Sequence, residues 1–340
     1  APSLIATHSH PIADDLREAI LTLCSGDAAS LPALGETHIA LGELFAQASL
    51  RLLDLADIAA NEVAGIGSHG QTIWHAPNGD KPFTLQIGDA NIIAELTGIT
   101  TVSDFRSRDM TVGGQGAPLA PLLHQHQFAS ARTSRAIINI GGISNITFLS
   151  PETPAFAFDS GPGNVLMDGW IAQHRGLNFD EKGRWARGGM VHKALLAKLQ
   201  QDDYFSKGAP KSTGRELFNS AWLETKLESF NQPMAPVDVQ ATLAQLTIQT
   251  LVNALKEHGE PEEIYVCGGG AHNRVLMEGL ANALATRTVS TTEALGIHPD
   301  WVEAIAFAWI AKQTMDGRAV DTSGFTGART PVVLGAIYQR

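Results

Sequence analysis

Ser134–Asn164 reads SRAIINIGGISNITFLSPETPAFAFDSGPGN, and the reading of the fold starts from it. Ile137, Ile138 and Ile140 form the short apolar run of a buried strand, and Gly141-Gly142 supply a turn before Asn145–Leu149 run back beside it. Glycines let a ligand approach the main chain closely. Successive bare N–H groups at such a turn make a concave site suited to phosphate. A third strand over Ala155–Phe158 then delivers Asp159 into Gly161-Pro162-Gly163-Asn164, after which Val165–His174 reads as a helix. A carboxylate at a strand end beside a phosphate turn is a natural place for catalysis.

The chain around this stretch has 340 residues, too many for one compact core and suited to two lobes. Apolar residues make up 44% and charged ones 17%, so a large buried interior is expected. The net charge of -11 argues against a DNA or RNA partner, because such binding rests on Lys and Arg neutralising phosphates. The substrate should therefore be small. Cys24 and Cys267 cannot build a disulfide framework, and no apolar stretch approaches the roughly 18 residues of a membrane span. No basic region followed by an apolar one opens the chain, which makes the cytoplasm the default compartment. The chain starts Ala1-Pro2 without Met, and is expected to lack its natural beginning.

Upstream, Ser3–His8 read as a strand, Ala13–Cys24 and Leu34–Ala56 as helices, and Val63–Gly70 as a strand. Gly65-Ile66-Gly67-Ser68-His69-Gly70 has the spacing of a dinucleotide-binding loop. Its context is wrong: Gln71–His75, Pro77 and Asn78-Gly79 read as a strand and a turn where that fingerprint needs a helix. Asp89 opens a helix over Ala90–Thr97 instead of closing a strand. An NAD-dependent oxidoreductase is thereby weakened. Thr100–Phe105 reads as a strand ending in Asp104-Phe105-Arg106-Ser107-Arg108-Asp109, which is either a solvated charge run or a ligand site at a strand's carboxyl end. Gly113-Gly114-Gln115-Gly116 follows, then a helix over Pro118–Gln127. His69, His75, His124 and His126 lack the spacing of a structural zinc site.

Downstream, Val191–Tyr204 reads as a helix, and Pro210-Lys211-Ser212-Thr213-Gly214-Arg215-Glu216 as a capping box, an anion-binding loop, or both. Ala235–His258 is a long helix with apolar positions on both faces. Strand Ile264–Cys267, Gly268-Gly269-Gly270 and a helix over Asn273–Leu284 form a second place for a nucleotide to meet bare backbone. Close strand-to-helix packing is the alternative, and it accounts for one or two glycines better than three. Glu303, in the first turn of a helix over Trp301–Met315, is either a cap or a ligand hook.

The ordered set GSHGQT, DFRSRD, INIGGISNIT, FDSGPGN, PKSTGRE with FN, and VCGGGAHN resembles the anhydro-N-acetylmuramic acid kinase family over the whole chain. The resemblance implies an α/β, two-lobed actin-like ATPase fold, each lobe a ribonuclease-H-like mixed sheet flanked by helices, with ATP in the cleft. Residues 1–132 would form the first lobe and 133–340 the second, the last residues packing back on the first. It also implies an enzyme of cell-wall (peptidoglycan) recycling, a phosphotransferase with an alcohol acceptor. Water opens the 1,6-anhydro bridge of the amino sugar while ATP phosphorylates the released O6. By similarity Asp159 is the base, and Arg106, Arg108, Gln115, Glu303 and His69 hold the sugar. Gly141, Gly142, Ser144 and Asn145 would touch phosphates, and Gly268, Gly269 and Gly270 the adenosine side. ATP and Mg²⁺ are the implied cofactors, with unassigned metal ligands. The partner is a small-molecule amino sugar, with no nucleic acid and no membrane, and a homodimer is compatible. Family members open with a strand and a glycine-, serine- and threonine-rich phosphate loop, which this chain is expected to lack. The competing reading is a catalytically impaired nucleotide- or sugar-binding protein of the same fold, against which Asp159 speaks.

Overall fold

The computed structural model describes residues 3–26, 30–209, 211–259 and 261–340; Ala1, Pro2 and Pro210 of PKSTGRE lie outside them. Helices α1 (Asp14–Ser25) and α2 (Leu31–Ala56) precede strands β1 (Ile66–Gly67), β2 (Gln71–Ala76) and β3 (Phe83–Ile87). Next come α3 (Ala90–Thr97), β4 (Thr101–Ser103), α4 (Phe105–Thr111) and α5 (Pro121–Phe128). The central stretch forms β5 (Arg135–Ile140), β6 (Ile143–Leu149), β7 (Phe156–Pro162) and α6 (Val165–Arg175). It is followed by α7 (Arg184–Arg187), α8 (Lys193–Leu199), α9 (Ser220–Phe230) and α10 (Pro236–Glu257). The remainder is β8 (Glu263–Cys267), α11 (Arg274–Ala283), β9 (Thr288–Thr291), α12 (Val302–Met315), α13 (Ser323–Thr326) and β10 (Ala336–Tyr338).

These elements sort into two compact units, Ala1–Leu123 with Ala304–Arg340, and His124–Glu303. The chain changes unit inside α5 and again inside α12. The C-terminal stretch sorts with the first unit because β10 adds to β4 as an antiparallel neighbour.

The fold is α/β, with a mixed sheet flanked by helices in each unit. In the second unit five strands lie in the order β7-β6-β5-β8-β9. The pairs β7/β6 and β6/β5 are antiparallel and β5/β8 and β8/β9 parallel, which is the order of a ribonuclease-H-like sheet. Its core joins Ile138, Ile140, Ile146, Phe148 and Phe158 to Leu243, Leu246 and Leu251 of α10. In the first unit the described residues give a three-stranded sheet, β1-β4-β10, and a separate β2–β3 hairpin. The strand after Gly70 is the one the sequence required, so the glycine run Gly65–Gly70 opens no helix.

Among the boundaries that differ from the sequence reading, the Val63–Gly70 strand shrinks to Ile66–Gly67, and four others have a local cause. Ser3–His8 form no strand, because alternation makes a strand only where an edge is offered for pairing. Strand β4 stops at Ser103, since Asp104 turns left-handed (φ 55°) and the chain coils into α4; DFRSRD is therefore mostly helix. The helix expected over Val191–Tyr204 splits into α8 and a short turn at Asp203–Ser206, started by Asp202, whose carboxylate accepts the Tyr204 N–H at 3.2 Å. Strand β7 runs on to Pro162, so Asp159 stands within a strand and not at its end.

Candidate active site

Asp159 is 5% exposed and pinned from three sides. Its N–H donates to the Lys211 carbonyl (3.0 Å), its carbonyl accepts from the Tyr204 hydroxyl (2.7 Å), and its Oδ2 accepts from the Thr213 N–H (2.9 Å). Across the ladder it faces Asn145, next to a register shift between Ser144 and Asn145. A bulge at such a point interrupts the ladder locally, and the strand continues past Asp159 to Pro162. Burial, and then the charges of Asp159 and Glu216, raise the Tyr204 phenol well above its ordinary value, so it stays a donor. The Lys211 ammonium lies over the Tyr204 ring (4.9 Å to the centroid) and burial lowers its pKa. The stretch around Thr213 is thus a strap over Asp159. It starts no helix: Asn219 caps α9 by accepting the Trp222 N–H (2.9 Å), so the capping box expected at Ser212 or Thr213 with Glu216 is not formed.

The Gly141-Gly142 turn presents its carbonyls to one side. Gly141 accepts the Asn164 N–H and Gly142 accepts those of Gly163 and Val165, at 2.8 to 3.0 Å. The Gly141 N–H donates to the Ile143 carbonyl (3.2 Å), so the turn is less bare than its sequence suggests. For the Gly142 N–H no acceptor occurs among the described residues. A Cβ on Gly142 would lie 3.9 Å from Nη2 of Arg215, which brings a guanidinium to the turn. An N–H and a guanidinium side by side suit an anion. Ser144 is absorbed within the sheet: its hydroxyl meets that of Ser160 at 2.8 Å and donates to the Gly161 carbonyl at 3.2 Å.

The three glycines after β8 divide by role. A Cβ on Gly268 (φ 77°) would fall within 3.0 Å of Asn139 Oδ1 and of the Ile140 carbonyl, and one on Gly270 within 3.0 Å of the Ile140 side chain. Both are demanded by close packing of β8 against β5. On Gly269 the nearest atom would be Asn164 Nδ2 at 3.7 Å, which leaves room for a ligand. A short turn at Gly269–His272 intervenes before α11, and Asn273 caps that helix by accepting the Val275 and Leu276 N–H groups. The glycines therefore sit one turn ahead of the helix N-terminus, not at it. Glu303, exposed in the first turn of α12, lies near enough to buried Cys267 that, after burial, its charge is the next cause raising the thiol's pKa.

In the first unit, the His69 Nδ1–H donates to the Gly70 carbonyl (2.8 Å), leaving Nε2 to accept from Nε–H of Arg106 (2.9 Å). Enclosure, and then the Arg106 charge, lower the His69 pKa from 6.5 to about 3, so the ring stays neutral and orients the guanidinium. Phe307 of α12 backs the imidazole (centroids 4.4 Å). Arg108 is exposed on α4, and Gln115 is tied by its N–H to the Thr326 carbonyl (2.9 Å). Asp109, not singled out in the sequence, is fully buried. It accepts from Gly116 N–H (2.8 Å) and from the hydroxyls of Thr322 (2.5 Å) and Thr326 (2.9 Å). It holds the GGQG loop in place, a role that its position in an alternating charge run concealed. Other histidines serve separate partners: His75 meets Thr84 Oγ1 (3.1 Å) and His124 meets Thr147 Oγ1 (2.8 Å).

The profile of the anhydro-N-acetylmuramic acid kinase family matches residues 1–340. The chain belongs to that family. Relatives named anhydro-N-acetylmuramic acid kinase agree. That of Coxiella burnetii (strain Dugway 5J108-111) is 47% identical over 338 residues, covering 98% of this chain and 90% of the relative. That of Photobacterium profundum is 47% identical over 343 residues, covering 98% and 91%. That of Vibrio cholerae serotype O1 is 46% identical over 337 residues, covering 98% and 90%. Component A of Acidaminococcus fermentans (R)-2-hydroxyglutaryl-CoA dehydratase aligns with 77% of this chain and 81% of its own at 10% identity and a TM-score of 0.44, too remote to bear on the site.

Proposed function

We propose that this chain is an ATP-dependent kinase that hydrolytically opens the 1,6-anhydro bridge of anhydro-N-acetylmuramic acid and phosphorylates O6, giving N-acetylmuramic acid 6-phosphate in peptidoglycan recycling. The observation that carries the reading is Asp159, a buried carboxylate pinned by Thr213 N–H beside a glycine turn that offers an N–H and a guanidinium to an anion. A binding protein has no need of such a base.

In this reading Asp159 takes a proton from water as the water oxygen bonds to the anomeric carbon. The bond from that carbon to O6 breaks and its electron pair stays on O6. That oxygen then attacks the γ-phosphorus of ATP, the bond from that phosphorus to the β,γ-bridging oxygen breaks, and ADP leaves with its electron pair, so one base drives both steps. Gly142 and Arg215 would hold phosphate oxygens and Gly269 the adenosine side, in keeping with phosphoryl transfer as chiefly positioning and charge neutralisation. Arg106, fixed by His69, together with Arg108, Gln115 and Glu303, would hold the sugar. Mg²⁺ enters with the nucleotide: no group of three or more ligating side chains gathers among the described residues, and this ion is ordinarily held by one or two carboxylates plus substrate phosphates. No described helix is long and apolar enough to cross a membrane, and a cytoplasmic setting, where ATP is at hand, belongs to the same proposal.

The test is turnover of the anhydro-sugar in oxygen-18 water by the wild type and by Asp159→Asn. The product should carry the label at the C1 hydroxyl, and the variant should lose about 10² to 10⁴ in rate or more. Label in the phosphate, or a loss below about tenfold, would sink the assignment.

A further inference from the structure

Three buried polar atoms near Asp159 have no hydrogen-bond partner among the described residues: Thr213 Oγ1, Ser212 Oγ and Asn145 Oδ1. An unpaired buried polar group costs stability, so one that persists calls for a ligand-side explanation. Two of the three flank the carboxylate. Thr213, 9% exposed, already gives its N–H to Asp159 Oδ2, which places its hydroxyl next to that group. Asn145 stands directly across the β6–β7 ladder from Asp159, and opposed residues of an antiparallel pair point to one face with Cβ atoms about 4.5–5.5 Å apart. Asp159 itself cannot swing away, being tied through its N–H to Lys211 and through its carbonyl to Tyr204.

Resting on the proposed reaction, we infer that Thr213 and Asn145 complete, with Asp159, the seat of the nucleophilic water, which makes Thr213 a catalytic residue. Water has two protons and two lone pairs. Asp159 takes the proton that leaves. The Asn145 carboxamide oxygen, an acceptor only, takes the second proton in a hydrogen bond, and the Thr213 O–H donates to one lone pair. A single lone pair then remains, aimed at the anomeric carbon. Ordinary water in the same place would sample many orientations, and the seat removes them before reaction. The balance is complete within the site: one oxygen–carbon bond forms, the bond from that carbon to O6 breaks with its pair on O6, and the proton rests on Asp159.

Thr213→Val tests this, because valine matches threonine in shape and keeps the N–H that pins Asp159. Since the lost hydroxyl has no partner among the described residues, the variant should melt at or above the wild-type temperature. A structural threonine would lower it. The kcat should fall by about 10²-fold, the cost typical of a misplaced reactant, with KM for the sugar within about threefold and the pH profile keeping its shape. Thr213→Ser should recover most of kcat, and Thr213→Ala, read in the same way, covers the case in which valine does not fold. If the wild type labels C1 from oxygen-18 water but Thr213→Val turns over within about threefold of it, the water seat is overturned and the kinase reading stands. If the wild type makes product without label at C1, the reaction reading falls and takes the seat with it.

Discussion

His69 and Arg106 show how a neutral side chain can serve a charged one. Histidine protonated at both nitrogens could not accept the Arg106 N–H, so the depression of its pKa to about 3 is what preserves the 2.9 Å bond at any working pH. A hydrogen bond to a charged group is worth about 1.5–3 kcal/mol. If Arg106 holds the sugar, His69→Leu should raise KM for the sugar by about 10- to 100-fold, while His69→Gln, whose carboxamide oxygen can still accept, should raise it less. Steady-state kinetics on the two variants decides: equal KM values in leucine variant and wild type would leave His69 a packing residue against Phe307.

The turn after β8 carries a division of labour that substitution can separate. Alanine at Gly270 would drive a Cβ into Ile140, and alanine at Gly268 would add a left-handed φ to the same crowding. Each should destabilise by roughly 1–3 kcal/mol, as overpacking and backbone strain do. Gly269→Ala should change stability by less than about 0.5 kcal/mol, since nothing lies closer than Asn164 Nδ2, yet should weaken ATP binding measurably by calorimetry. A Gly269→Ala protein that binds ATP as well as the wild type would take this turn out of the nucleotide site. The loop ahead of α5 depends likewise on one buried group, Asp109, whose oxygens satisfy a backbone N–H and two hydroxyls from the C-terminal segment.

The whole molecule should be sensitive to acid for a reason visible in its histidines. Burial lowers His69 and His124 to about 3 and His75 to about 4, each from 6.5. Below about pH 6.5 the unfolded chain therefore takes up protons that the folded chain refuses until pH 3 to 4, and stability falls as pH is lowered through that window. At one pKa unit per 1.36 kcal/mol, lowering the pH to about 5 costs roughly 2 kcal/mol for each buried imidazole. Urea denaturation at about pH 7.5 and about pH 5 reads this directly, and a midpoint that does not move would show that the imidazoles are not held neutral.

What the sequence alone determined is local. The run Ile137–Ile140, the glycine pair, the Asp89 cap of α3 and the helix over Pro236–Glu257 depend on neighbours within a few positions, so periodicity and turn chemistry suffice to read them. Motif order was enough to reach the family. The tertiary structure decided what joins distant positions: the Thr213–Asp159 bond spans 54 residues, Arg106–His69 37, and Thr326–Asp109 217. It also carried β7 past Phe158, because pairing with β6 supplies ladder bonds that local propensity around Gly161 and Pro162 does not. An alternating charge run cannot show which acid is buried, nor a threonine in a polar loop which carboxylate it will meet. Those outcomes depend on where the chain closes on itself, and closure is a property of the packed whole.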